Sequence, residues 1–122
     1  MFQDDLFTIL SEEISENSAD FTIRLNRSHP IYSGHFPEDA ITPGVCLVQI
    51  GVDLFSHASG HEFQLVKAKN VKFLQLIRPD EHPEICFHLT WAAPEENIHA
   101  VKVLVDADTT TFIKMSLQLG LK

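Results

Sequence analysis

Residues 18–27, SADFTIRLNR, alternate apolar Phe21, Ile23 and Leu25 with polar Thr22, Arg24 and Asn26, the two-residue period of a strand with one buried face. The stretch before it, FQDDLFTILSEEI, fits two templates. Phe2, Leu6, Ile9, Leu10 and Glu13 keep helical spacing, while LFTIL also serves as a strand, and periodicity does not choose between them. SHPIYSGHFPEDAITPG is dense in Pro, Gly, Ser and Asp and reads as loop. A helix start follows, with Thr42 as N-cap, Pro43 at the first helical position and an apolar run beginning at once. From Val45 to Ala58 the apolar residues cover most of the helix circumference, so burial on most sides is expected. The polar exceptions, Gln49, Asp53, Ser56 and His57, recur at spacings of three and four and form one stripe, and Gly60 ends the helix. Four further strands are predicted over 69–77, 84–92, 99–107 and 110–119, separated by RPDEHP, APEEN and a tight DADT turn.

One buried helix followed by a run of antiparallel-style strands gives an α+β class, a curved sheet wrapped around a central helix, which is the layout of a hot-dog fold. The chain of 122 residues, with 44% hydrophobic content and no repeat, is expected to form a single domain over 1–122. That size leaves little room for an internal active-site cavity, so a site shared between two subunits fits it better. No leader peptide and no apolar run near the ~20 residues of a membrane span is evident, which predicts a soluble, cytoplasmic protein with no membrane partner. Cys46 and Cys86 lie forty positions apart and read as small core residues. A net charge of −8 argues against nucleic-acid binding. Against that acidic background, Lys67, Lys69, Lys72 and Arg78 form a stretch without acids, readable either as a protected strand edge or as a landing site for an acidic partner.

GHFPEDAITPGVCLVQI resembles the segment of bacterial (3R)-3-hydroxyacyl-acyl-carrier-protein dehydratases in which Gly-His-Phe-Pro is followed by Pro-Gly-Val and the central helix. SHPIYSGHFP resembles the approach to that motif and KNVKFLQLIRPDE the strand and turn after the helix, and the arrangement extends over roughly residues 18–119. The resemblance favours a strand over residues 5–13. It also implies catalytic roles for the motif residues. His35 would be the base that removes a proton beside the thioester carbonyl, a task suited to an imidazole titrating near neutrality. The backbone N–H groups of Gly44 and Val45 would receive the thioester oxygen, with Phe36 and Pro43 beside them in the substrate site.

The family places an acid fourteen positions after the histidine, on the helix of the other subunit; here that position is Gln49. An amide accepts or donates a hydrogen bond but delivers no proton to the leaving water. One turn later, where the family usually carries Gln, stands Asp53, so the pair is exchanged, and Gln49 with Asp53 is expected to handle the substrate hydroxyl. The activity implied is dehydration of 3-hydroxyacyl thioesters to trans-2-enoyl thioesters without a cofactor. The partners implied are acyl carrier protein at the Lys67–Arg78 cluster and a second hot-dog subunit, identical or related. Two alternatives remain: a non-catalytic subunit that completes a partner's site, and an acyl-thioesterase.

Overall fold

The structure, a computed structural model, describes residues 2–34 and 38–122. Six strands and one long helix follow in the order β1 (Phe7–Ile14), β2 (Ser18–Leu25), α1 (Gly44–Ser59), β3 (Phe63–Phe73), β4 (Glu84–Trp91), β5 (Ile98–Ala107) and β6 (Thr110–Leu121), with a 3-10 turn at Pro30–Tyr32. The strands make one antiparallel sheet of order β1-β2-β4-β5-β6-β3. The chain therefore leaves β2, builds α1 across the sheet, lays β3 on the far edge and returns to pair β4 with β2. This is the hot-dog arrangement.

Alternation decides which face each strand presents to the helix. Phe21 and Ile23 of β2, Ile85, Phe87 and Leu89 of β4, Val101, Val103 and Val105 of β5, and Ile113, Met115, Leu117 and Leu119 of β6 all point inward and are buried. Leu47, Ile50, Leu54 and Phe55 of α1 join them in one continuous core. Gly51 faces Met115 and Leu117, so the absence of a side chain there lets the helix lie close over β6. Burying such side chains contributes about 1.5–3 kcal/mol each, and this inner face is what fixes strand register. Among the described residues no helix is long and apolar enough to cross a membrane.

Several boundaries differ from the sequence expectation, each for a physical reason. The ambiguous amino-terminal stretch is strand β1, anchored by Leu6 and Phe7, both fully buried. The third strand starts at Phe63 and stops at Phe73 instead of running over 69–77. As an edge strand it is exposed on nearly every residue, so it carries no alternation to read, and Asn70, at φ 51°, sits in a register irregularity between Lys69 and Lys72. Beyond it, Leu74 and Gln75 both donate their N–H groups to the Phe112 carbonyl, and the Ile77 carbonyl accepts from the Thr42 N–H. The helix cap moves by one residue. Pro43, extended, is the N-cap and Gly44 opens the helix, because the Thr42 hydroxyl is committed to Tyr32 at 2.9 Å in the core. Gly60, at φ 77°, closes the helix in the left-handed conformation that glycine adopts without strain. Cys46 is a buried core residue, but Cys86 is not: it points outward from β4, 3.6 Å from the Thr22 hydroxyl.

Candidate active site

The loop between β2 and α1 is pinned on both flanks. His29 accepts the Ile31 N–H on its Nδ1 atom at 3.1 Å, while its Nε2 atom meets Asp5 at 3.2 Å, and together these fix the turn at Pro30–Tyr32. Tyr32 then packs in the core against Thr42. Burial, set against the Thr42 hydrogen bond, pushes the Tyr32 phenol above its ordinary value. Between these anchors, His35, Phe36 and Pro37 lie outside the described residues.

At the start of α1 the N-cap provides no side-chain hydrogen bond, because Pro43 has none to offer. The Gly44 and Val45 N–H groups find no acceptor among the described residues, and the Val45 side chain is 78% exposed. Among the described residues, the first turn therefore presents two unpaired donors at the positive end of the helix dipole. No acid lies in that turn to occupy them. Gly44 lies close under Phe73 at the end of β3: a Cβ there would be 2.8 Å from the Cζ atom of the ring, which would have to move aside. Cys46, one turn in, has its thiol pushed up by burial, which removes a thiolate nucleophile from this end of the helix.

The polar stripe of α1 is not a wet face. Asp53 is 2% exposed and both its oxygens are taken: Oδ2 accepts the Phe2 backbone N–H at 2.7 Å and Oδ1 accepts from Gln49 Nε2 at 2.8 Å. Ser56 is buried as well and accepts the Phe63 N–H at 3.0 Å, joining the helix end to the start of β3. His57 alone turns outward, to Glu12 at 2.9 Å. Spacing alone identified the stripe. That residues 2–6 fold back over it was not legible, because the covering group is a backbone amide with no sequence signature.

Of the four basic residues singled out by position, Lys67, Lys69 and Lys72 lie exposed on β3, opposite Gln118, Ser116 and Lys114 of β6. Arg78 stands apart, its guanidinium held by Asp39 at 2.8 Å and 3.5 Å with Glu81 at 4.0 Å. Strand pairing adds two lysines that sequence distance had hidden. Lys102 lies across from Ser116, and Lys114 across from Lys72, so five of the six lysines share the outer face of β3, β5 and β6. Lys72, Lys102 and Lys114 line an open groove of about 510 Å³ there. The alternation along 99–107 and 110–119 was the signal that could have grouped them. On the same face His88 bridges Asp20 at 2.6 Å and Asp106 at 3.0 Å.

The comparisons with known proteins agree with this architecture. The model of a family described as ApeI-like, ApeI dehydratase, matches residues 11–112. No curated protein matches the sequence significantly. Among solved structures, the dehydratase heterocomplex ApeI:P from Xenorhabdus doucetiae superposes with a TM-score of 0.67 at 18% identity, covering 93% of this chain and 96% of that one. A mutant thioesterase from Pseudomonas aeruginosa gives 0.67 at 14% identity over 95% of this chain and 81% of its own. A putative thioesterase from Lactococcus lactis gives 0.68 at 13% identity over 97% and 94%. At such identities the structural likeness is one of fold, whereas the family match spans most of the sequence: the chain belongs to the ApeI-like dehydratase family.

Proposed function

We propose that the chain dehydrates 3-hydroxyacyl thioesters, carried on acyl carrier protein, to trans-2-enoyl thioesters. The observation that carries this reading is the first turn of α1, where the two N–H donors beside Gly44 have no acceptor among the described residues, a short way after His35 in the sequence. His35 removes the proton from C2 of the acyl group. The thioester oxygen, gaining enolate charge, is received by the Gly44 and Val45 N–H groups. The electron pair then forms the C2–C3 double bond, the C3–O bond breaks, and the hydroxyl leaves as water, taking the proton that His35 had removed from C2. Gln49, with Asp53 behind it, holds the hydroxyl; Phe36 and Pro43 border the thioester. Base, oxyanion donors and hydroxyl contact all come from the protein, so the reaction needs no cofactor.

A second hot-dog subunit, identical or related, completes the site in this reading. Edge strand β3 supports it: its outer edge has no strand neighbour, and it ends in a row of exposed apolar side chains, Phe73, Leu74 and Leu76, with Leu65 and Val66 further back. The acidic carrier is drawn by Lys67, Lys69 and Lys72, while Arg78, neutralised by Asp39, adds little. The test is an assay of wild type and His35→Ala on a short 3-hydroxyacyl carrier substrate, following the absorbance of the conjugated enoyl product together with free thiol. Enoyl formation by wild type that His35→Ala abolishes supports the reading. Thiol release without enoyl product replaces it with an acyl-thioesterase.

One observation favours a second reading, a non-catalytic subunit that completes a partner's site. Gln49 stands where the family's dehydratases carry their acid. Enoyl formation that appears only when an acid-bearing hot-dog partner is added would select it.

A further inference from the structure

Asp53 is the one buried carboxylate among the described residues, and it has no oxygen to spare. A carboxylate only accepts hydrogen bonds, and here both donors are fixed. One is the backbone amide of Phe2, held in turn by the fold of the amino-terminal segment, where the Leu6 and Phe7 N–H groups both donate to the Phe2 carbonyl. The other is the NH2 group of Gln49. That second bond dictates which way the Gln49 amide faces. Reversing the amide would set its carbonyl against an oxygen of the buried carboxylate, acceptor against acceptor. Gln49 itself is only half-buried, and its Oε1 atom has no protein partner among the described residues.

We infer that Asp53 is a positioning residue that acts on the substrate only through Gln49: with the Phe2 amide it locks the Gln49 side chain so that the site offers a hydrogen-bond acceptor, selecting a 3-hydroxyacyl over a 3-oxoacyl group. The inference rests on the dehydration reading above. A 3-hydroxyl donates to Oε1, whereas a 3-oxo group only accepts and would leave two acceptors face to face. Asp53, spending both oxygens as acceptors, does not return the proton to the leaving hydroxyl. That proton returns from the His35 imidazolium, which took it from C2. The exchange of acid and amide along the helix thus turns a proton-donating position into a recognising one.

The test uses unreactive amide analogues of 3-hydroxybutyryl- and 3-oxobutyryl-pantetheine, with dissociation constants measured by calorimetry. Wild type is expected to bind the hydroxyl form about tenfold or more tightly, the scale of one unmatched buried polar pair. In Asp53→Asn the new carbonyl accepts the Phe2 N–H and the new NH2 donates to Gln49 Oε1, turning the Gln49 NH2 outward. The preference for the hydroxyl form should then fall to about onefold or reverse. Equal binding of the two analogues by wild type, or an unchanged ratio in a folded Asp53→Asn, overturns the positioning role. So does a descending limb in the pH profile of kcat/KM that disappears in Asp53→Asn, because it marks Asp53 as the proton donor. Wild type carries a further check if the variant does not fold: Gln49 side-chain amide protons exchange slowly by NMR if they are donated to Asp53, and exchange as fast as those of a free glutamine if they are not. Conversion of 3-hydroxybutyryl-pantetheine by wild type separates the two levels. Turnover with an unselective site removes the positioning role alone, and no turnover with no binding removes the dehydration reading with it.

Discussion

Gly44→Ala puts one methyl group where the structure has the edge of a phenyl ring. The new Cβ would lie 2.8 Å and 3.0 Å from the Cζ and Cε1 atoms of Phe73, against the ~3.5–4.0 Å of an ordinary carbon contact. Backbone would have to yield if the ring could not, but Phe73 is the last residue of an edge strand and is 53% exposed, so the ring swings away. A phenyl side chain carries roughly 150–250 Å² of surface, and Phe73 buries about half of it, so complete expulsion forfeits at most about 2.5 kcal/mol at ~25 cal/mol per Å². Alanine returns up to about 1 kcal/mol through its helix propensity. The net loss is therefore at most about 2.5 kcal/mol, and about 1.5 kcal/mol where alanine returns its full propensity, a fall in Tm of several degrees for a chain of this size. A double-mutant cycle with Phe73→Ala isolates the cause by urea denaturation. In the Phe73→Ala background the clash is absent and Gly44→Ala should become neutral or stabilising, giving a coupling of about 1–2 kcal/mol. A Gly44→Ala penalty of the same size in both backgrounds refutes the argument and places the cost in the helix start itself.

Ser56→Ala removes the acceptor of the buried Phe63 N–H and should cost about 1–3 kcal/mol, read as a lower urea midpoint with an unchanged slope; a loss under about 0.5 kcal/mol means that water replaces the hydroxyl. His88 titrates in a predictable direction. Burial lowers its pKa, yet the hydrogen bonds that its ring donates to Asp20 and Asp106, with the charges of those carboxylates, outweigh that and raise it above the ordinary value. The native state thus favours the imidazolium, so its stabilisation is complete below the unfolded value and is lost as pH rises through the folded one. His88→Gln should destabilise more at about pH 5.5 than at about pH 9, by no more than about 1 kcal/mol because the group is more than a third exposed, and an equal or reversed difference in urea midpoints contradicts the bridge.

How much of this was legible in the sequence depends on where each residue's neighbours come from. Strands β2, β4, β5 and β6 were readable because one face of each meets the core, which imposes alternation. Edge strand β3 meets solvent on both sides, and its boundaries were displaced accordingly. The helix was readable from its apolar circumference, its cap only to within one residue, because Tyr32 draws the Thr42 hydroxyl into the core. The family resemblance reads Gln49 and Asp53 as an exchanged pair. Their different fates, one half-open and the other sealed by the Phe2 amide, come from a tertiary contact spanning 51 positions that no local pattern encodes. The lysine face is similar: Lys72, Lys102 and Lys114 are scattered in sequence and gathered only by strand register.

The proposed dehydration removes one water from the acyl group, and intact-protein mass spectrometry reads that loss directly on a carrier protein loaded with a 3-hydroxyacyl chain. Incubation with wild type should lower the mass of the loaded carrier by one water, leaving the thioester intact, and His35→Ala should leave the mass unchanged. A carrier that keeps its full mass with wild type, or that loses the whole acyl group, contradicts the claim.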